Sequence, residues 1–377
     1  MSSVTRFDTY PASLPPGSAI TELPGEFHLH RGGCLRSLRI AYETWGALNA
    51  RRDNTILLFT GLSPSAHAAA SAQDATPGWW EYMIGPDRPI DTRKFHVVCI
   101  NSLGSCFGST GPASVNPRTG KPYRLGFPEL CIEDIARSAR AALRTLGIER
   151  VHSVVGASLG GMSALAYAME FPDEVETLIS ISSATRATPF AIAVRSLQRE
   201  IIRSDPNWKN GNYDSGRGPI DGMRLARKLG LTSYRSAAEW QQRFGRERIP
   251  DADASGHAFG PEFQIESYLD ANARQFVGGF DANCYLYLSR AMDLFDVAEH
   301  GGSVEAGLAR VRAERTLIIG VETDFLFPLW QQREIADCLR DSGREVLFSA
   351  LSCIHGHDSF LLDEDYFGPP VAEFLRR

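Results

Sequence analysis

Short runs of apolar and β-branched residues recur along the chain at Thr55–Thr60, Phe95–Ile100, Val151–Val155, Leu178–Ser182, Thr316–Val321 and Val346–Ala350. A short run that is apolar on both alternating faces is the pattern of a strand covered on both sides, as in a parallel sheet. Between the second and third runs, Ile132, Ile135, Ala139, Leu143 and Leu146 fall at helical spacing. Glu133 and Asp134 stand in the first turn of that segment, where a helix N-terminus favours negative charge. Strand, helix, strand predicts an α/β protein built on a mostly parallel, doubly wound sheet.

The strand series stops between Ala184 and Arg310, where helical patterns are broken by polar, glycine-containing stretches such as 207–218. The spacing therefore predicts a core from 1–184 and 311–377, with a mainly helical cap at 185–310 inserted late in the chain. A length of 377 residues suits one large α/β core with one insertion. The cap is rich in aromatics, among them Trp208, Tyr213, Tyr234, Trp240, Phe244, Tyr268, Tyr285 and Tyr287. Taken singly, each fits the cap's own core better than a pocket roof.

Composition narrows the class. With 43% hydrophobic and 22% charged residues, the chain is neither disordered nor fibrous. A net charge of -6 offers no extended basic surface for phosphates, so no nucleic-acid partner is expected. The first thirty residues carry Pro11, Pro15, Pro16 and Pro24 and lack the apolar centre of a signal peptide. No later stretch nears the roughly eighteen apolar residues of a membrane span, so a cytoplasmic protein without a membrane partner is expected. Cys34, Cys99, Cys106, Cys131, Cys284, Cys338 and Cys353 are scattered and never spaced as a metal or disulfide framework.

The chemistry gathers around Gly156-Ala157-Ser158-Leu159-Gly160-Gly161, which lies between a predicted strand and a helical segment. A glycine-flanked serine there is the pattern of a nucleophile held on a tight strand-to-helix turn. A serine hydroxyl needs a histidine base, and the histidine needs an acid to set its tautomer. Asp324 follows the run TLIIGVET, and His357 follows VLFSALSC, both at predicted strand ends where open α/β sheets place their ligands. His355 is a rival base, but Gly356-His357-Asp358 favours His357. An oxyanion needs two N–H donors, assigned to the backbones of Leu159 and Leu62, the latter in the loop after the first run. Nothing resembles a phosphate loop, a dinucleotide fingerprint or a metal cluster, so no metal and no resident cofactor are expected.

With these residues in place, the chain resembles the homoserine O-acyltransferase family of α/β-hydrolase-fold enzymes, and within it the serine O-acyltransferase branch. The likeness runs through Ala41–Gly46 (AYETWG), Asn101–Cys106 (NSLGSC), Gly108–Pro112 (GSTGP) and the serine turn. It continues through Ala226–Gly230 (ARKLG), Thr232 with Tyr234–Ser236, Asp324–Pro328 (DFLFP) and Gly356–Asp358. The resemblance implies a ping-pong reaction in which Ser158 takes an acyl group from acyl-CoA, the co-substrate, and passes it to an amino-acid hydroxyl. It further implies that Arg227 and Asp358 bind the amino acid, as a guanidinium suits a carboxylate and a carboxylate suits an ammonium.

Gly61–His67 (GLSPSAH) with Gly78–Glu81 (GWWE) resembles the serine-using branch, which makes Ser63, Pro64, Ser65 and Ala66 acceptor-specificity residues. For the donor, homoserine succinyltransferases of the family carry an arginine where this chain has Leu326. Against that departure, Arg195 and Arg199 open the cap and offer cations to a succinyl carboxylate. The branch resemblance tips the donor to succinyl, with O-acyl-serine made for cysteine biosynthesis by a homodimer. The alternatives are acetyl transfer to serine or homoserine, and an esterase using water on the same triad.

Overall fold

The computed structural model describes residues 14–214, 216–250 and 259–377. Pro11 lies outside them. The main sheet has eight strands, β1 (Ala19–His28), β2 (Cys34–Trp45), β3 (Thr55–Phe59), β4 (His96–Ile100), β5 (Val151–Ala157), β6 (Val175–Ile181), β7 (Arg315–Val321) and β8 (Glu345–Leu351). Their spatial order is β1-β2-β4-β3-β5-β6-β7-β8. The last six are the runs expected from sequence, and every pairing among them is parallel. β1 and β2, which the apolar runs did not announce, pair antiparallel with each other and, through β2, with β4.

Side chains of each central strand divide between the two faces of the sheet, as a two-residue period requires. Leu57 and Phe59 of β3 join one core with α1 (Ile132–Thr145) and α2 (Leu159–Glu170), while Ile56 and Leu58 join the other. Between β6 and β7 come α3 (Pro189–Ser204), α4 (Ile220–Tyr234), α5 (Ala237–Phe244), α6 (Gln264–Phe276) and α7 (Ala282–Leu294), the helical insertion expected there. Thr188 caps α3 by accepting the Ala191 N–H, with Pro189 at the first helical position where its missing N–H costs nothing. Ala191, Arg195, Gln198 and Ile202 then recur on the buried face of α3. The helices α8 (Leu329–Asp341) and α9 (Glu364–Arg376) return to the sheet.

The topology fixes the place of chemistry. β3 and β5 are parallel neighbours, paired from Ile56 with Ser153 to Phe59 with Gly156. The loop after β3 therefore emerges beside the turn after β5, and the ends of β7 and β8 open on the same side.

Candidate active site

Ser158 joins β5 to α2 with φ 58° and ψ −124°, a left-handed conformation that a non-glycine residue holds only under restraint. Its N–H donates to the Ile181 carbonyl of β6 at 3.0 Å. The flanking glycines are required by close approach rather than by freedom alone. A Cβ on Gly156 would lie 2.0 Å from the Gly160 oxygen, and one on Gly160 would lie 2.6 Å from the Phe59 oxygen. The turn can thus fold back against β3 only without side chains there.

The three residues expected to act together do meet. His357 Nε2 is 2.8 Å from Ser158 Oγ, and His357 Nδ1 is 2.7 Å from Asp324 Oδ2. The other oxygen of Asp324 accepts the N–H groups of Leu326 at 3.0 Å and Phe327 at 2.8 Å, so the carboxylate is fixed in plane. Phe327 stacks on the His357 ring with centroids 4.8 Å apart. Burial pulls the His357 imidazolium down, but the Asp324 charge and hydrogen bond outweigh it, with help from Asp358, and the net shift is upward. His355, the rival base, is bound instead to Asp363 at 2.8 Å. Leu159 opens α2, so its N–H is among those without an intrahelical acceptor, and Leu62 lines the pocket beside Ser158.

The pocket encloses roughly 930 Å³, part of it open to solvent, and brings Arg195, Arg227 and Asp358 to the same space as Ser158 and His357. The Arg227 guanidinium lies over the Phe276 ring at 4.5 Å and the Tyr234 ring at 5.5 Å, and its buried Nε has no hydrogen-bond partner among the described residues. The Asp358 side chain makes no capping hydrogen bond to the short helix Ser359–Leu362 that it precedes; its Oδ2 pairs with Arg235 Nε at 3.0 Å, and Arg235 also reaches Glu239 at 3.0 Å. Burial raises the Asp358 carboxyl against the opposing pull of Arg235, His357 and Arg227. Nothing local in the sequence links Arg235 and its partner Glu239 to a residue so far along the chain, so the sequence alone does not mark them as part of the site.

Three expected specificity residues sit elsewhere. Of 63–66 only Ser63 and Pro64 face the pocket. Ser65 turns away, its carbonyl accepting the Trp79 indole N–H at 3.1 Å, and Ala66 is buried in the core under the loop. Arg199 stands behind the pocket wall, where it pairs with Asp293 at 2.6 Å and donates to Ser289 Oγ at 2.9 Å. Arg195 also binds Asp293 at 2.6 Å through Nε, but it lines the pocket, is 5% exposed, and has both Nη1 and Nη2 without partners. Leu326 lines the same pocket. Among the described residues the one group able to gather metal-type ligands is Glu26, His28 and Cys34, exposed on the β1–β2 hairpin.

A serine on a strained turn after a central strand, with Asp and His at later strand ends, defines an α/β hydrolase. The chain belongs to that class, its residues 54–350 matching the family described as the alpha/beta hydrolase fold. Within it, the chain belongs to the serine and homoserine O-acyltransferases. It is 61% identical to a serine O-succinyltransferase of Litchfieldella anticariensis over 96% of this chain and 99% of that one. It is 58% identical to an L-serine/homoserine O-acetyltransferase of Streptomyces lavendulae over 96% of this chain and 98% of that one. Among solved structures, homoserine O-acetyltransferase from Bacillus anthracis superposes with a TM-score of 0.87 at 29% identity, covering 96% and 97% of the two chains. The esterase E22 superposes with a TM-score of 0.85, also at 29% identity, covering 95% and 99%.

Proposed function

We propose that this protein transfers a succinyl group from succinyl-CoA to the hydroxyl of L-serine, giving O-succinyl-L-serine and free coenzyme A. The observation that carries the donor is Arg195, a buried guanidinium with both terminal nitrogens unpartnered in a pocket that also holds the nucleophile. A terminal carboxylate entering such a space needs a cation, and an acetyl group does not.

Each half-reaction uses the same atoms. Ser158 Oγ attacks the thioester carbonyl while His357 Nε2 takes its proton. The N–H groups of Leu62 and Leu159 receive the developing oxyanion, and collapse expels the CoA thiolate with the proton from His357. The acceptor serine, its carboxylate on Arg227 and its ammonium on Asp358, then gives its hydroxyl proton to His357 and attacks the acyl-Ser158 ester. Collapse returns the proton to Ser158 Oγ. Acyl-CoA is a co-substrate throughout, and the scheme calls for no other cofactor. The reading extends to a cytoplasmic homodimer making an activated serine for cysteine formation. Exposed Leu197 on α3, with Ile220 and Leu225 on α4, supports self-association through the helical insertion.

Mass spectrometry of the product from a mixture of serine, homoserine, acetyl-CoA and succinyl-CoA tests donor and acceptor together. O-succinylserine as the main product is the expected result. Acetylated homoserine, or thiol release independent of any amino acid, overturns it; the resemblance to an esterase makes the second control necessary.

A further inference from the structure

Behind the pocket wall lies a buried cluster that the transfer chemistry does not use. His67 is 8% exposed and faces Glu43 of β2, which is 2% exposed. The His67 Nε2 lies 2.8 Å from the Thr76 carbonyl oxygen and 3.3 Å from Thr76 Oγ. That hydroxyl donates its hydrogen to Asp74 Oδ1 at 2.6 Å, so toward the ring both Thr76 oxygens are acceptors and Nε2 carries a hydrogen. On the other side, Nδ1 lies 3.1 and 3.0 Å from the two oxygens of Glu43. A neutral imidazole has a single N–H. With that hydrogen committed to Thr76, the contact between Nδ1 and the Glu43 carboxylate needs a second proton, on the ring or on the carboxyl.

We infer that His67 and Glu43 hold one shared proton, and that this proton clamps the pocket wall made by Leu62, Ser63, Pro64 and Trp79, making His67 a positioning residue for acceptor binding. The linkage is direct. The His67 carbonyl accepts the Trp79 N–H at 3.3 Å, and its own N–H donates to Ser65 Oγ at 3.3 Å. The Ser65 carbonyl in turn accepts the Trp79 indole N–H, so the backbone of His67 is joined to both sides of the wall that its ring anchors to Glu43 and Thr76. A Cβ on Gly78 would lie 2.1 Å from the Ala68 carbonyl carbon, which shows how closely the two arms of the loop are drawn together.

The surroundings leave the proton no substitute. Asp74 Oδ2 stands 3.8 Å from Nδ1, Ser71 Oγ donates to Glu43 Oε1 at 3.3 Å, and Cys99 of β4 lies opposite Glu43 across the strands. Glu81 is occupied by the N–H groups of Ala70 and Gly78. Among the described residues no lysine or arginine pairs with Glu43. Both groups hold their proton more tightly than usual. Burial raises Glu43 despite His67, whereas burial opposes protonation of His67 and is outweighed by the Thr76 carbonyl and Glu43. Loss of the proton would leave a buried carboxylate facing a ring lone pair, and the clamp would open.

The inference rests on the proposed acceptor pocket, but its test does not depend on transfer alone. In Glu43→Gln the carboxamide supplies an N–H to Nδ1 of a neutral ring and keeps an oxygen for Ser71, so no shared proton is needed. In the wild type, raising the pH from neutral to about 9.5 is expected to raise the acceptor KM roughly fivefold beyond the same rise in Glu43→Gln, with kcat changed less than about twofold. Hydrogen exchange over residues 62–80 should increase in the wild type relative to the variant across the same range. Parallel KM profiles and parallel exchange overturn the clamp. If the variant does not fold, ¹⁵N NMR of the wild-type ring decides: titration above the ordinary imidazole value of about 6.5 is expected, and titration at or below it overturns the inference. An enzyme that moves no acyl group to serine would instead overturn the proposed function, with exchange and NMR still judging the clamp.

Discussion

Replacing Arg195 by methionine tests the donor assignment with little collateral damage, because of how the side chain is held. Arg195 and Arg199 share the carboxylate of Asp293, each at 2.6 Å. Removing Arg195 leaves Asp293 paired with Arg199, so no buried carboxylate is orphaned, and methionine fills much of the vacated stem. What is lost is the pair of buried, unpartnered Nη groups of a side chain that lines the pocket. A succinyl carboxylate would then enter without a partner at a site 5% exposed, a loss of about 2–5 kcal/mol for a desolvated charge pair. Since about 1.4 kcal/mol is a factor of ten, kcat/KM for succinyl-CoA should fall roughly thirtyfold to several thousandfold, the lower end applying if water follows the carboxylate in. Acetyl-CoA makes no such pair, and its kcat/KM should stay within about threefold or rise. Thiol release measured with each donor at saturating serine reads both numbers. Equal losses for the two donors would refute the assignment and return Arg195 to a purely structural role.

Other consequences follow from the same geometry. Ser158→Ala should remove transfer and acyl-enzyme formation, seen by intact-protein mass spectrometry, while circular dichroism stays unchanged; persistent turnover would sink the nucleophile. Asp324→Asn presents an amide N–H to His357 Nδ1 and so favours the tautomer with Nε2 protonated, which cannot take the serine proton; a kcat loss of about 10⁴-fold is expected in steady-state assays. Arg227→Lys keeps the charge but loses the planar fork over Phe276, and should raise serine KM by an amount worth roughly 1–3 kcal/mol with kcat nearly unchanged. His357 acts as a base only when neutral, and its folded value is raised, so kcat/KM should climb with pH along an acid limb displaced above that of a free imidazole. A limb at or below the free value would contradict the dominance of Asp324 over burial.

The legible parts of the fold were the local ones. β3 and β5 to β7 are buried along nearly their whole length, so each appears as an unbroken apolar run that no surface pattern dilutes. β1 and β2 lie at the antiparallel end of the sheet, where β2 mixes exposed with buried positions and β1 has only exposed and half-buried ones. In β1 the pattern is further broken by a register shift between Leu23 and Glu26, where Pro24 and Gly25 sit. The triad was readable for a related reason: Ser158 follows directly on β5, and Asp324 and His357 stand in the short loops after β7 and β8, so the strands place them. Loop residues have no such period. Ser63 and Pro64 face the pocket while Ser65 and Ala66 do not, and only the backbone path of the loop separates them.

Donor choice belongs to the part that no run or motif encodes. Relatives at 61% and 58% identity carry names with different acyl groups, so overall likeness cannot decide it. The deciding contacts come from distant segments. Arg195 on α3 meets Asp293 on α7 across 98 positions, and that pairing exists only because the two helices pack together. Two guanidiniums against one carboxylate leave positive charge beside a wall of Val194, Met292 and Leu326, an arrangement that is costly unless something anionic completes it. Among the described residues no second carboxylate pairs with either arginine, so an anion that arrives with the substrate would complete the cluster. Acceptor serine brings its carboxylate with an ammonium and is neutral overall, and Arg227 and Asp358 already suit that pair. The unmatched charge at Arg195 is therefore assigned to the donor, and a donor bearing a terminal carboxylate is the one that fits it.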